Sequence, residues 1–277
     1  MRPVNAVLMS ADALSPNAPD QFVIALEARL NDCRNVRTLG VRPNFSDYSG
    51  AEADLIRRAE KIYYPSTHYI DMFDAMGKKT FPSSHTYRFV QDKIKQTTLF
   101  QLLKVPTPRT RFFYGHRKAE KILRHFDFPF VAKIPRGSAL GRGVYLIRSQ
   151  DELEQYCEIS TVAYIQEYLP ADRDIRVVII GDQPAHAYWR VGGPGEFRNN
   201  IEQGGAIELA DVPPAAKALA LDTARRCGWN DVGLDICPYA GRFYVLEANM
   251  KYGKQGFQKA GIDYSQLMEE MIRDGRI

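Results

Sequence analysis

Near the end of this 277-residue chain, Gly233-Leu234-Asp235-Ile236 and Val245-Leu246-Glu247-Ala248-Asn249 read as two strand-like runs around the turn Pro238-Tyr239-Ala240-Gly241, that is, as a β-hairpin. Side chains alternate faces along a strand, so Glu247 and Asn249 share one side. Asp235 joins them in any register that keeps the alternation. Two carboxylates and an amide oxygen would then converge on one face. Such an all-oxygen set suits a hard divalent cation such as Mg²⁺, with coordination positions left for phosphate oxygens. The same pattern also describes the polar, solvent-facing side of an ordinary hairpin, and the segment alone does not separate the two readings.

Two glycine-rich loops stand upstream. Gly137 to Gly143 carries three glycines between Arg136 and Arg142. Glycine lets backbone N–H groups approach phosphate oxygens with no Cβ in the way, although a flexible hairpin turn has the same composition. Lys133 precedes this loop at the parity of Val131. A lysine on an otherwise apolar face either meets an anion or guards an edge strand against aggregation. The second loop runs from Val191 to Asn200 after Arg190, carries Arg198 and Asn200, and closes with Gly204-Gly205. It reads as a cover that folds over a ligand or as a surface loop.

The elements that must hold these residues follow from hydrophobic pattern and punctuation. Val4 to Met9 reads as a buried strand, Gln21 to Leu30 as a short helix and Ile62-Tyr63-Tyr64 as a strand ending at Pro65. The first third is therefore expected to be a small α/β lobe with its boundary near Phe81-Pro82-Ser83-Ser84. Tyr87 to Leu103 has helical spacing and stops before Val105-Pro106-Thr107-Pro108. Phe128 to Ile134 and Val144 to Ile147 are strands, so the first glycine loop joins a hairpin and not the strand-to-helix turn of a P-loop or dinucleotide fold. Gln150 to Cys157 reads as a helix, Val162 to Glu167, Ile175 to Ile180 and Ala187 to Trp189 as strands. Pro214 to Cys227 carries one apolar helical face and Gly228 as its stop, and the chain ends in a helix with Leu267, Met268, Met271 and Ile272.

Composition narrows the function classes. A hydrophobic content of 45% and a charged content of 25% are those of a soluble globular protein with a substantial core, better divided into two or three lobes than one. No apolar run is long enough to span a membrane, and the N-terminus lacks a signal-peptide pattern, so a cytoplasmic location is expected. Cys33, Cys157, Cys227 and Cys237 are widely spaced and are read as free thiols, and the five histidines show no zinc spacing. The net charge of +4 suits an anionic small ligand, but the basic residues are dispersed and form no stripe for nucleic acid.

Taken in order, these elements resemble the ATP-grasp ligases, and within them the RimK-like group that includes glutamate ligases. The resemblance is carried by Gln91-Asp92-Lys93 opening a helix, and by Lys133 followed by Gly-Ser-Xaa-Xaa-Gly-Xaa-Gly-Val over 137–144. It continues with Gln166-Glu167-Tyr168-Leu169, Asp174-Ile175-Arg176, Phe197-Arg198-Asn199-Asn200 with Gly204-Gly205, Gly233-Leu234-Asp235 and Glu247-Ala248-Asn249. It covers Tyr87 to Gly256. It implies an α/β protein in which two α+β lobes, 86–160 with the glycine-rich lid and 161–277 with the metal site, grip ATP behind an N-terminal α/β lobe, 1–85. By resemblance, Lys93 and Lys133 are ligands of the ATP phosphates, under a lid that includes Gly137, Ser138, Gly141 and Gly143. Gln166, Glu167, Tyr168 and Leu169 are the hinge that reads adenine, and Asp174 reaches toward the ribose. Arg198 and Asn200 sit by the γ-phosphate and the acyl intermediate, and Asp235, Glu247 and Asn249 bind Mg²⁺ or Mn²⁺, two ions in all.

The implied activity is ATP-dependent amide formation between a carboxylate and an amine through an acyl phosphate, with small-molecule or peptide substrates. No nucleic acid or membrane partner is implied, and a homo-oligomer is compatible with it. Arg176 and Arg190 are candidates for holding substrate carboxylates, since the guanidinium fork matches them. The alternative is a catalytically weak ATP-binding module that senses nucleotide or presents a partner; intact lysines, acids and Arg198 speak against it. One departure concerns substrate choice. RimK-like chains usually follow the last asparagine with Ser-Pro-Gly, whereas here Asn249 precedes Met250-Lys251-Tyr252-Gly253-Lys254-Gln255-Gly256. Lys251 and Lys254 either bind a further anionic group or are simply solvated.

Overall fold

A computed structural model describes residues 22–137, 143–193 and 205–277. The strand expected over Val4 to Met9 therefore lies outside the described residues, as do Ser138, Gly141, Arg198 and Asn200.

The first lobe is a parallel sheet of β1 (Val23–Ala25), β2 (Val36–Thr38), β3 (Lys61–Tyr63) and β4 (Lys79–Phe81) in the order β2-β1-β3-β4. Parallel pairing needs crossovers, and α1 (Gly50–Arg58) and α2 (Ser66–Ala75) supply them. Ser49 and Glu52 form a capping box that starts α1. The helix expected over 21–30 is absent. Val23–Ala25 is a central strand and only Ala28–Leu30 forms a 3-10 turn. A central parallel strand is buried on both faces, so its continuous apolar run carries no alternation to tell it from a helix.

The second sheet is antiparallel, with order β5-β8-β6-β7 from β5 (Thr110–Tyr114), β6 (Phe130–Lys133), β7 (Val144–Ile147) and β8 (Val162–Glu167). Helices α5 (Lys118–Leu123) and α6 (Gln150–Ile159) cover one face through Phe113, Ile122, Phe130, Ile147, Leu153 and Ile165. The third sheet is also antiparallel, with order β11-β10-β9-β12-β13. Its strands are β9 (Arg173–Ile180), β10 (Gln183–Val191), β11 (Ala206–Glu208), β12 (Asp231–Tyr239) and β13 (Arg242–Asn249). One face packs Ile175, Val177, Leu234 and Val245 against α7 (Pro214–Cys227), which ends on Gly228 in a left-handed conformation.

The single helix expected over 87–103 is two helices, α3 (Ser84–Tyr87) and α4 (Lys93–Leu102). The break falls at Gln91, whose φ of 54° is left-handed, and at Asp92, whose carboxylate caps α4 by accepting from the Lys95 N–H at 3.0 Å. Phe89, Val90 and Phe100 from this segment pack with Trp229 in the core of the third sheet. The C-terminal helices α8 (Gln255–Lys259) and α9 (Tyr264–Arg273) close the other face, packing Phe257, Met268 and Met271 against Tyr63 and Phe81 of the first lobe and Val178 and Ile180 of β9. All four cysteines are unpaired.

Strand pairing and packing run across both expected lobe boundaries. A cut at 160/161 separates β8 from the sheet in which it pairs with β5 and β6. A cut at 85/86 assigns α4 to the middle lobe, although α4 packs on the third sheet. The middle lobe proper begins with β5 and ends with Glu167, and the third sheet takes its helical cover from chain on both sides of it.

Candidate active site

The face of the third sheet opposite α7 carries charge at one end. On β9, alternate residues Ile175, Val177 and Ile179 enter the core, leaving Asp174 and Arg176 on the other face. On β12, Val232, Leu234 and Ile236 enter the core, leaving Asp231, Gly233 and Asp235. β13 reaches the same arrangement only through a bulge. Ile236 pairs with Val245 but Asp235 pairs with Glu247, so Leu246 is the extra residue. Strict alternation would have put Val245 and Glu247 on one side; the bulge keeps Val245 in the core and turns Glu247 and Asn249 toward Asp235. The expected turn is also tighter than its sequence suggested. Pro238 and Tyr239 are still strand, and Ala240 and Gly241, at φ 47° and 74°, turn the chain.

These strands assemble a buried array of alternating charge. Arg176 grips Asp235 with two bonds, Nε to Oδ1 and Nη2 to Oδ2, the latter at 3.1 Å. Arg190 grips Asp174 at 2.7 and 2.9 Å and also reaches Asp235 Oδ2 at 3.0 Å. Asn249 Nδ2 donates to Asp235 Oδ2 at 3.1 Å. Burial pushes the Asp235 carboxyl up, but the charges of Arg176 and Arg190 outweigh it and hold the group below its ordinary range. Asp174 goes the other way, because burial and the neighbouring Asp235 charge exceed the help of Arg190. Gly233 is required by this packing, since a Cβ there would sit 3.0 Å from Arg176 Cδ and 3.1 Å from Tyr252 Cβ.

Two lysines complete the centre. Lys93 opens α4 and places its Nζ 3.2 Å from Glu247 Oε1. Asp92, one residue earlier, pairs with Arg136 at 3.0 Å, and the Lys93 N–H donates to the Pro135 carbonyl at 3.0 Å, so the start of α4 is tied to the chain just after β6. Lys133 at the end of β6 is buried with its Nζ 5.6 Å from the centre of the Tyr164 ring. Its ammonium is pushed down, by burial first and by Lys93 next, against the pull of Glu247 and Asp235. The Tyr156 hydroxyl donates to the Lys133 carbonyl at 2.6 Å and receives the Tyr164 N–H at 3.0 Å, which fixes the strand that carries this lysine.

The remaining expected positions are placed as follows. Gly137 and Gly143 both have left-handed φ, 67° and 72°, and Gly143 closes the hairpin by accepting from the Ile134 N–H at 2.7 Å. Gln166 is buried on the Lys133 side of the second sheet, donating to Thr110 Oγ1 at 2.9 Å. Glu167 accepts from the Arg109 N–H at 2.6 Å, and Tyr168 and Leu169, both half-buried, lead from β8 toward β9. Asp174 is not open at a ribose-facing edge; it is buried and doubly bonded to Arg190. Arg176 and Arg190 lie in the centre, but bonded to acids of their own chain.

One contributor escaped the sequence reading. Gln96 of α4 lies on a mostly apolar helix face, yet its amide donates to the Ala248 carbonyl at 2.9 Å and receives the Ala248 N–H at 3.2 Å. It thereby pins the residue between Glu247 and Asn249. A buried glutamine at an apolar helical position was the available signal.

Among the described residues, no group of three His, Cys, Asp or Glu side chains is placed to hold a metal ion. The candidate set is two carboxylates and an amide. Glu247 and Asn249 are half-buried oxygen ligands that fit a hard cation. Asp235 already faces four donors, three on Oδ2 and one on Oδ1. It orients both arginines and Asn249, and Oδ1, with a single donor, keeps a lone pair for ligation.

A RimK-like ATP-grasp domain model matches residues 90–272. A probable alpha-L-glutamate ligase of Alkalilimnicola ehrlichii is 29% identical over 235 residues, covering 79% of this chain and 77% of that protein. Probable alpha-L-glutamate ligase 1 of Shewanella frigidimarina is 28% identical over 264 residues, covering 91% and 85%. Among solved structures, the ATP-grasp ligase PsnB complexed with a phosphomimetic variant of its minimal precursor, Mg and ADP superposes with a TM-score of 0.69 at 15% identity, covering 93% of this chain and 99% of that one. D-alanine–D-alanine ligase from Bacillus anthracis gives a TM-score of 0.63 at 14% identity over 86% and 85%. At such identities the structures show the fold, and the domain model shows the family. With two antiparallel sheets converging on paired lysines, acids and arginines, the chain belongs to the RimK-like ATP-grasp family and is an ATP-dependent carboxylate–amine ligase.

Proposed function

We propose that this ligase forms an amide through an acyl phosphate, joining an amino acid such as glutamate to an acceptor. The observation that carries this reading is the convergence of Lys93, Lys133, Glu247, Asn249 and the Arg176–Asp235–Arg190 array from separate lobes onto one centre. A carboxylate is a poor electrophile, because attack must add charge to an anion. Transfer of the γ-phosphoryl group to a carboxylate oxygen releases ADP and gives an acyl phosphate. Amine attack on the acyl carbon then forms the amide, with loss of phosphate and a proton.

In this reading Lys93 and Lys133 supply fixed positive charge to the phosphates in a buried setting, where it acts without being screened. Glu247 and Asn249, with Asp235, would hold Mg²⁺, which neutralises charge on phosphate oxygens when bound. Arg176 and Arg190 orient the substrate carboxylate, Gln166 to Leu169 contact the adenine, and Arg198 and Asn200 serve the γ-phosphate. The depressed Lys133 ammonium is matched to this task, because phosphate supplies the anionic partner that burial denies it.

Replacement of Glu247 by Gln is expected to lower ATP-dependent ADP release by at least about a thousandfold while thermal unfolding stays cooperative. Retained turnover would remove the metal role of Glu247. Lys133→Ala is expected to weaken ATP binding by about tenfold to a hundredfold, the loss of one charge-assisted contact, read by calorimetry.

A further inference from the structure

Helix α4 stands between the second and third sheets and gives each a different face. Gln96 and Phe100 turn to the third sheet, Gln96 bonding to Ala248 and Phe100 packing on Trp229. Lys93, Thr97 and Gln101, four residues apart, form a second stripe. Lys93 opens it in the centre, where its side chain meets Glu247 and its N–H meets the Pro135 carbonyl. Gln101 closes it by donating from Nε2 to the Thr110 carbonyl of β5 at 3.1 Å. Between them, Thr97 Oγ1 lies 2.7 Å from the Tyr164 hydroxyl of β8, and both side chains are buried.

Tyr164 stands directly opposite Lys133 where β8 pairs with β6, and the Lys133 Nζ lies 5.6 Å from the centre of its ring. Burial pushes the phenol up, so it stays a neutral hydroxyl. One hydroxyl pair therefore joins the residue one helical turn beyond Lys93 to the residue across the strand from Lys133. The contacts at Pro135 and Thr110 hold the two ends of α4 to the same sheet without it. Loss of the hydroxyl pair thus leaves the packing of α4 in place and loosens the middle of the stripe, between the two lysines.

Lys93 and Lys133 carry like charges, and after burial it is Lys93 that pushes the Lys133 ammonium down. Glu247 offsets part of this repulsion, yet Glu247 is also the acid expected to turn to a cation. A neutral hydroxyl pair keeps the lysines apart by a fixed amount whether or not Glu247 stays with Lys93. Being uncharged, it does not compete with phosphate for either ammonium. We propose that Tyr164 and Thr97 are positioning residues for ATP: their hydroxyl pair sets the separation of Lys133 and Lys93 at which both reach the phosphates of one nucleotide. The role so assigned rests on the phosphate reading of the two lysines.

The test uses the whole chain, with a non-hydrolysable ATP analogue plus Mg²⁺ and with adenosine as probes, read by calorimetry. Tyr164→Phe keeps the ring beside Lys133 and removes only the hydroxyl, and Thr97→Val removes its partner while keeping the shape. Each is expected to raise the Kd of the ATP analogue about tenfold, the loss of one hydrogen bond, with the Kd of adenosine within about twofold of the parent. The double variant is expected to bind no more weakly than either single one, and Thr97→Ser, which keeps a hydroxyl, to bind like the parent. A purely structural role would lower stability in urea without moving the ratio of the two affinities. An unchanged Kd for the ATP analogue in both single variants would overturn the proposal. So would equal weakening of adenosine, or losses that add in the double variant. Thr97→Val carries the same test should Tyr164→Phe fail to fold. If Lys133→Ala weakens ATP binding while the hydroxyl variants bind like the parent, the positioning role falls and the phosphate reading stands. If Lys133→Ala leaves ATP binding unchanged, the phosphate reading falls and takes the positioning role with it.

Discussion

Asp231 and Asp235 share one face of β12, separated on that face by Gly233, and both are buried, yet their surroundings drive them in opposite directions. Asp235 meets two guanidinium groups and is held below the ordinary carboxylate range. Asp231 meets hydroxyls, from Tyr252 at 2.6 Å and Tyr64 at 2.8 Å, and burial pushes it up against the more distant help of Arg29. The cost of burial is common to both. What differs is that Asp235 is bonded directly to two guanidinium groups, whereas Asp231 is bonded to hydroxyls and has the single charge of Arg29 acting on it. The Asp235 end of the strand is thereby an ionised centre. The Asp231 end is a polar knot that joins the first lobe, through Tyr64, to the third sheet and to Tyr252 after β13.

The sharpest way to break this contrast is to neutralise each aspartate in turn. Asp235→Asn leaves two buried arginines undercompensated and is expected to cost on the order of 3–5 kcal/mol in urea unfolding, with loss of ADP release. Asp231→Asn keeps one acceptor oxygen, lets the other tyrosine accept from the new amide, and is expected to cost about 1–2 kcal/mol with turnover within a few-fold of the parent. Equal losses in the two variants would mean that the arginines do not distinguish the sites.

A smaller effect tests how the charged end is supported. Gln96→Ala leaves the Ala248 N–H and carbonyl without their side-chain partner and is expected to cost roughly 1–3 kcal/mol. Because Gln96 acts on the hairpin and touches no phosphate ligand, kcat is expected to fall while ATP affinity is retained. A change confined to stability would reduce Gln96 to packing.

The smallest effect, and the most diagnostic, is in pH dependence. The folded-state pKa of Asp235 lies below its unfolded value, so its stabilisation is present above the unfolded value of about 4 and is lost as pH falls through the folded one. Asp231 is raised, so its contribution is present below about 4 and is lost as pH rises through its folded value. Unfolding free energies measured from about pH 3 to pH 7 are therefore expected to show the penalty of Asp235→Asn growing with pH and that of Asp231→Asn shrinking. Slopes of the same sign would sink the comparison.

Much of the architecture was legible because it rests on local pattern. Strand-like composition identified β6, β7, β8, β9 and the final hairpin, and Gly228 and the apolar stripe of 214–227 marked α7 and its end. The errors have a common cause. Val23–Ala25 looked helical because a strand buried on both faces shows no period. The break before α4 was hidden in the hydrophobic pattern, whose helical spacing runs unbroken from Tyr87 to Leu103, while Asp92 caps α4 locally through the Lys95 N–H. Which sheets β8 and α4 join is set by pairing and packing, which composition does not record.

At the site the division is similar. Residue types and order pointed to a phosphate-handling protein, and the resemblance to the ATP-grasp ligases singled out Lys93, Lys133, Glu247 and Asn249 as its expected chemical groups. They did so because hard cations and phosphates need particular oxygens and cations, whatever the geometry. Only the tertiary structure decided that Arg176 and Arg190 are bonded to Asp235 and Asp174, and that a bulge at Leu246 turns Glu247 inward. Only it showed that Arg29, from the first lobe, and Lys251, after β13, line one cavity. Those outcomes depend on cross-strand register and on segments distant in sequence, and the energy of a buried charge is set by the neighbours it meets there.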